Sequence, residues 1–309
     1  MRPIGFRGVS TLRAEQADVV PLRHRRNRAQ AAFAALRPRQ WTKNLLLFAG
    51  IVFAAQLRDA GRWLSATLAF LAYCAASSAA YLVNDVRDAG YDRAHPVKRS
   101  RPVARGELSP RLALALAGGL AVAALALTAP LGLVPLALLG AFAALQLAYS
   151  LGLKHVVLVD VMTIGGLFTI RAAAGAAAVD VRISGWLLLC TALLALFLGL
   201  AKRRGELAPR PEAPGRPALQ GYSLALVDQL VTVVAASTIV AYSVYTFTAH
   251  SAALMATIPF VVFGIFRYLL LVHRDDLGEE PEAVLLSDVP ILVSVALWAV
   301  TAAAIIAAS

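Results

Sequence analysis

The sequence predicts an all-α, polytopic membrane bundle of nine transmembrane helices, and three observations lead there. Of 309 residues, 59% are hydrophobic and only 15% charged, whereas a soluble domain is about one quarter charged. The mean hydropathy is +0.70. The apolar residues also come in runs of roughly 16–25, the length that crosses about 30 Å of hydrocarbon. A chain this apolar cannot cover its surface in water, so lipid is its solvent. The net charge of +11 does not mark a nucleic-acid binder, because the basic residues cluster between apolar runs, as they do where a membrane protein sets its orientation.

Taken in order, residues 1–36 are polar and rich in Arg and Ala. They lack the apolar stretch of a cleavable signal and read as a basic cytoplasmic tail of disorder-prone composition, suited to anionic headgroups. The remainder, 37–309, reads as one transmembrane domain. Its first span, 43–58, lies between Lys43 and Arg58, and the second, 62–84, runs from Arg62 to Asn84-Asp85. A tight turn at Ala129-Pro130 separates the third, 110–130, from the fourth, 132–150. The fifth, 156–178, follows Lys154-His155, and the sixth, 184–201, runs from Arg182 to Lys202. Spans 224–248, 252–273 and 288–308 complete the set. Cys74 and Cys190 lie inside apolar runs with no CxxC partner and read as small core residues.

Lys and Arg orient the bundle. With the N-terminus in the cytoplasm, 25 of the 29 basic residues fall on the cytoplasmic side. The outer face receives only Arg58, Arg62 and Arg182, and Arg171 stays within the fifth span. The positive-inside rule therefore places the N-terminus inside and the C-terminus outside. The long polar connections 85–109, 202–223 and 274–287 are then all cytoplasmic, so a soluble substrate is met from inside the cell.

The chemistry-bearing signal is Asn84-Asp85-Val86-Arg87-Asp88-Ala89-Gly90-Tyr91-Asp92. Asp85, Asp88 and Asp92 at i, i+3 and i+7 would share one helical face. Three carboxylates so close repel, and a cation between them removes the repulsion. Mg²⁺ suits one or two carboxylates, its remaining positions going to water and substrate phosphate. Directly downstream come Arg93, His95, Lys98, Arg99, Arg101 and Arg105, cations that suit a diphosphate leaving group.

Three further basic clusters fall at the same depth. They are Arg37-Pro38-Arg39-Gln40-Trp41-Thr42-Lys43-Asn44, Tyr149-Ser150-Leu151-Gly152-Leu153-Lys154-His155 and Lys202-Arg203-Arg204-Gly205-Glu206. Within the fifth span, Asp160 and Arg171 are about three turns apart and would share a face. Such groups either line a cavity or pair with neighbouring helices. The acidic stretch Arg274-Asp275-Asp276-Leu277-Gly278-Glu279-Glu280-Pro281-Glu282 reads as a solvated loop.

These motifs resemble the UbiA superfamily of intramembrane prenyltransferases over about 37–305. The resemblance rests on the Asn-Asp-x-x-Asp-x-x-x-Asp motif at 84–92, the Tyr-Ser…Lys motif at 149–154 and the helical plan. It implies a bundle around a lipid-open central cavity with a cytoplasmic cap. In the usual members two aspartate-rich loops hold a prenyl diphosphate through Mg²⁺. Here the second of those loops reads Lys202-Arg203-Arg204-Gly205-Glu206, cations where carboxylates are expected, which implies a site for an additional phosphate.

The strings at 37–44, 81–88, 95–102, 152–155, 170–175 and 202–207 are similar to the phosphoribosyl-transferring branch of that family. That branch implies 5-phosphoribosyl 1-pyrophosphate as donor, decaprenyl or a similar polyprenyl phosphate as acceptor, and a product that feeds cell-wall arabinan. It implies Asp85, Asp88 and Asp92 as the Mg²⁺ ligands and catalytic set. Substrate contacts would come from Asn84, Arg37, Lys43, Asn44, Tyr91, Lys98, Arg99, Arg101, Tyr149, Lys154, His155, Asp160, Arg171, Lys202, Arg203 and Glu206. The acceptor phosphate is already an anion, so no general base is required, and His155 reads as a phosphate or hydrogen-bond contact. The competing readings are an aromatic-acceptor prenyltransferase of the same family and a transporter.

Overall fold

The computed structural model describes residues 26–53, 58–95, 98–182, 184–207, 217–248, 251–274, 284 and 287–308, and all of their regular structure is helical. A short α1, Arg28–Ala35, opens on an Asn27 capping box in which Asn27 and Gln30 each accept from the other's backbone N–H. A 3-10 segment, Pro38–Phe48, then leads into α2, Ala49–Phe53. The long α3, Ala60–Arg87, starts on the side chain of Asp59, which accepts from Arg62 N at 3.1 Å. It is followed by the six-residue α4, Ala89–Ala94.

Ser109 caps α5, Pro110–Thr128, with Pro110 in the first turn, where its missing N–H costs nothing. Gly132, at φ 107°, turns the chain into α6, Leu133–Leu151. The remaining helices are α7, Val159–Ala178; α8, Gly185–Leu207; α9, Leu224–Thr248; α10, Ile258–Arg274; and α11, Val289–Ala308. Helix α3 packs on α5, α7 on α8, and α8 on α9.

Among the described residues, eight helices are long and apolar enough to cross a membrane. They coincide with eight of the nine expected spans to within a few residues. The first expected span, 43–58, is not such a helix: it is mostly the 3-10 segment and the five-residue α2, with 54–57 outside the described residues. Of the segment assigned to the tail, 28–35 is helical and 1–25 lies outside the described residues, as does most of the acidic loop at 274–282.

Helices α3 and α7 are the innermost, with 56% and 61% of their apolar windows buried, against 17% for α6 and α11, which present most of their surface to lipid. One core lies between α3, α5, α6 and α7, around Tyr73, Leu139, Phe142 and Leu167. Another lies between α7, α8, α9, α10 and α11, around Phe197, Val227, Tyr268 and Ile291.

The 3-10 segment docks backbone to backbone on α7. A Cβ on Gly175 would lie 2.7 Å from Leu47 Cα, and one on Gly50 would lie 2.7 Å from Ala176 Cα. Both neighbours are main chain, so neither can swing aside. Gly175→Ala is therefore expected to cost about 1–3 kcal/mol of overpacking and to lower the thermal midpoint of the detergent-solubilised protein by several degrees. An unchanged midpoint would mean the two segments separate freely.

Candidate active site

The site forms where the ends of α3, α6, α7, α8, α9 and α10 meet. Helix α3 ends at Asp88, whose φ of −90° and ψ of 4° break the helical path before α4 starts. Asn84 O accepts from Asp88 N at 2.8 Å, and Asp88 O accepts from Asp92 N at 2.8 Å. This break changes the expected arrangement of carboxylates. Asp85 and Asp92 converge, each about 1% exposed, while Asp88 turns aside and accepts from Lys154 Nζ at 3.3 Å.

Two guanidinium groups hold the buried pair. Arg101 Nη1 lies 2.7 Å from Asp92 Oδ2 and 3.3 Å from Asp85 Oδ1. Arg37 binds the same Asp85 oxygen and stacks 4.7 Å from the centre of the Tyr81 ring. Arg37 adopts φ 55° and ψ 60° immediately before Pro38, a left-handed conformation that costs on the order of 1–3 kcal/mol. The strain is held by Trp41 Nε1, which donates to Ser78 at 3.0 Å, and by Ser78 Oγ, which donates to Leu36 O at 2.9 Å. The second Asp85 oxygen, Oδ2, is buried without a hydrogen-bond partner. Among the described residues no three His, Cys, Asp or Glu side chains stand close enough to hold a metal by themselves.

Around this pair the remaining predicted cations are spread unevenly. Lys98 Nζ lies 5.4 Å from the centre of the Tyr91 ring, and its backbone N donates to His95 Nδ1 at 3.4 Å. Arg99 and His155 are exposed, and Lys43 and Lys202 are half-buried. Arg87 ties the end of α3 to the end of α6 by donating to Ser150 O at 3.0 Å.

Arg203 sits differently from an open phosphate receptor. It is 1% exposed, pairs with Asp160 Oδ2 at 2.7 Å and with Glu206, and reaches the Tyr149 hydroxyl at 3.5 Å. Tyr222 donates to Asp160 Oδ1 at 2.8 Å and accepts from Leu158 N at 2.7 Å. Burial and the bond to Asp160 push the Tyr222 phenol up to about 12, so it remains a donor at neutral pH. These bonds hold Leu158 at a φ of 66° and fix the Gly152–Leu158 turn that carries Lys154. Its neighbour Arg204 is likewise engaged, with Asp228 at 2.8 Å and the Val272 carbonyl at 2.8 Å.

Asp160 and Arg171 do not share a site. Arg171 lies deep in the bundle, where Nε donates to Asn44 Oδ1 at 2.8 Å and Nη1 to Leu167 O at 3.1 Å. Its guanidinium lies 4.6 Å from the centre of the Phe142 ring and 5.2 Å from that of Phe168. Asn44 in turn donates to Cys74 Sγ at 3.3 Å. Both intramembrane charges thus pair with neighbouring helices, and Arg171 with Asn44 pins the 3-10 segment to α3 and α7.

Several residues that shape the site are not marked in the sequence. Ser78 and Tyr222 stand in no motif, and Tyr81 stands only as the first residue of the 81–88 string, with no role given to it. Asp228, the only charged residue in α9, was a usable signal, since a lone carboxylate in an apolar span needs a partner. Between α8, α9, α10 and α11 lies a cavity of about 380 Å³ whose walls are almost wholly apolar, with Leu46 and Ala49 of the N-terminal segment on one side.

A model of the UbiA prenyltransferase family matches residues 45–209 of the chain. The chain is 36% identical over 291 residues to a decaprenyl-phosphate phosphoribosyltransferase of Mycolicibacterium smegmatis, covering 85% of this chain and 88% of that one. It is 37% identical over 287 residues to one from Mycobacterium tuberculosis, covering 88% and 93%. The fold is similar to that of a UbiA homologue from Archaeoglobus fulgidus bound to GPP and Mg²⁺, with a TM-score of 0.71 at 17% identity over 90% of this chain and 100% of that one.

Proposed function

The chain belongs to the UbiA prenyltransferase family, whose members are multi-pass membrane proteins, and on that premise we propose that it is a phosphoribosyltransferase. It moves 5-phosphoribose from 5-phosphoribosyl 1-pyrophosphate to decaprenyl phosphate or a similar polyprenyl phosphate, releasing pyrophosphate and giving decaprenylphosphoryl-5-phosphoribose, a precursor for cell-wall arabinan. The observation that carries this reading is identity of 36–37% to decaprenyl-phosphate phosphoribosyltransferases along most of both chains.

The site's chemistry agrees. A buried pair of carboxylates with one orphaned oxygen fits Mg²⁺, which takes one or two carboxylates and completes its shell with water and phosphate. Asp85 and Asp92 would hold it, with Asp88 at the rim. When bound, the metal neutralises charge on the pyrophosphate as that group leaves. Arg37 and Arg101 keep the two carboxylates paired until then and are placed to receive phosphate oxygens. Lys98, Arg99, Lys154, His155, Lys202 and Lys43 supply further positive charge for the donor's 5-phosphate and the lipid phosphate.

In the transfer, an acceptor phosphate oxygen bonds to the ribose C1 while the C1–O bond to pyrophosphate breaks, its electron pair leaving with pyrophosphate. No proton has to move, so the protein's part is positioning and electrostatics. Tyr91 and Asn84 line the same turn. Arg203, Asp160, Tyr149 and Glu206 act on the substrate through the Lys154 turn that they fix.

The lipid stays in the bilayer. The apolar cavity gives its tail room, and the donor arrives from the cytoplasm by the positive-inside rule.

The test is transfer of radiolabel from 5-phosphoribosyl 1-pyrophosphate to decaprenyl phosphate by purified protein in detergent, with and without Mg²⁺. Labelled lipid that depends on the metal is expected. No label, together with prenylation of an aromatic acid from a prenyl diphosphate, would overturn the donor assignment.

A further inference from the structure

The apolar cavity is closed at the end away from the carboxylates by a knot of hydrogen bonds. Trp298 Nε1 donates to the Tyr242 hydroxyl at 2.7 Å. The hydroxyls of Tyr242 and Thr257 share a bond of 2.6 Å, and Thr257 donates to Leu254 O at 2.5 Å. The knot pins the 3-10 turn Ala252–Thr257 against α9 and α11. Its polar groups satisfy one another in apolar surroundings, so opening it would strand donors in hydrocarbon. The wall is therefore stiff.

A second feature says what enters. Along α8 the cavity is lined by Leu187, Thr191, Leu194 and Leu198, spaced by three and four residues. The next step on that face is Lys202, at the end of α8 that carries the site. One helix face thus runs from a cation at the membrane surface into an apolar cavity, which is the order of parts in a lipid phosphate.

We propose that the Trp298–Tyr242–Thr257 closure makes this cavity a depth gauge for the acceptor, so that only the isoprene units nearest the phosphate are recognised. This rests on the reading of the acceptor as a polyprenyl phosphate. From Lys202 to Trp186, which also lines the cavity, α8 covers about 24 Å. A stretched chain gains about 1.2 Å per bond, so an isoprene unit with four backbone bonds spans about 5 Å and the path holds about five units. The cavity is only half enclosed, so the rest of a decaprenyl chain turns out sideways into the bilayer. Because the tail moves from one apolar medium to another, only packing favours the cavity, and each seated unit is worth about a twofold to fivefold gain in affinity.

The test is a chain-length series of polyprenyl phosphates, from geranyl to undecaprenyl, read by direct binding to detergent-solubilised protein and separately by transfer. For the native chain, Kd and KM are expected to fall up to about five units and then level off. Cys190→Trp, which fills the deep end, is expected to move the plateau to about three units and to weaken long chains about tenfold more than geranyl phosphate. Tyr242→Ala, which removes the wall, is expected to let affinity keep rising past the native plateau. Constants that improve steadily to undecaprenyl in the native chain would overturn the proposal. So would equal loss at every length in Cys190→Trp, or a phospholipid held in the cavity that polyprenyl phosphates do not displace. If Cys190→Trp has no cooperative melt, Thr191→Trp repeats the test. Binding with a plateau but no phosphoribosyl transfer would keep the gauge and remove the reaction, so the two failures are distinguishable.

Discussion

Asp85→Asn is expected to lower kcat/KM for phosphoribosyl transfer by about a thousandfold, roughly 4 kcal/mol of transition-state stabilisation, whereas Asp88→Asn should lose only about tenfold. The difference follows from burial and partners. Asp85 is 1% exposed, accepts from two guanidinium groups on one oxygen and keeps the other without a partner. An amide in its place would retain the shape while removing the charge that can hold a cation against a diphosphate. Asp88 is about one quarter exposed, pairs with a single lysine and sits in better-screened surroundings. The measurement is turnover against Mg²⁺ concentration, with metal-induced thermal stabilisation as a readout independent of activity. Full turnover with normal metal dependence in Asp85→Asn would remove Asp85 from the metal site.

The contrast between these two aspartates also shows how far a sequence can be read. Spacing at i, i+3 and i+7 puts three carboxylates on one face only if the helix continues, and it stops at Asp88. Periodicity is blind to that stop, because the break depends on where α4 packs. The long spans were legible because hydrophobic run length is a local property: α9 runs Leu224–Thr248, as expected. The first span differs in helix type: its apolar content predicts an α-helix, whereas its described part is mostly a 3-10 segment. The residues that shape it, Asn44 toward Arg171 and Gly50 against Ala176, act across more than a hundred residues of chain. Asp160 and Arg171 do lie on one helix, but their partners come from three other segments. A helical wheel names the face a side chain occupies, not the neighbour it meets.

Arg203 gives the second large effect, and it falls on stability. Arg203→Ala is expected to destabilise the folded protein by about 3–5 kcal/mol, because it leaves the buried Asp160 and the half-buried Glu206 without their shared cation. The thermal midpoint should drop on the order of ten degrees. Tyr222 still donates to Asp160, which keeps the loss within that range. Replacing both sides, as in Arg203→Met with Asp160→Asn, should cost less than the two single changes added together, by about 0.5–3 kcal/mol, since the residues are in contact. An arginine whose main work is to grip a substrate phosphate would behave in the opposite way. Its removal would leave the midpoint alone and raise KM for the donor. A stable Arg203→Ala with a tenfold higher donor KM would therefore return Arg203 to direct substrate binding. A fallen midpoint that Arg203→Lys partly restores would identify it as the post that holds Tyr149, Asp160 and the Lys154 turn in register with the carboxylates.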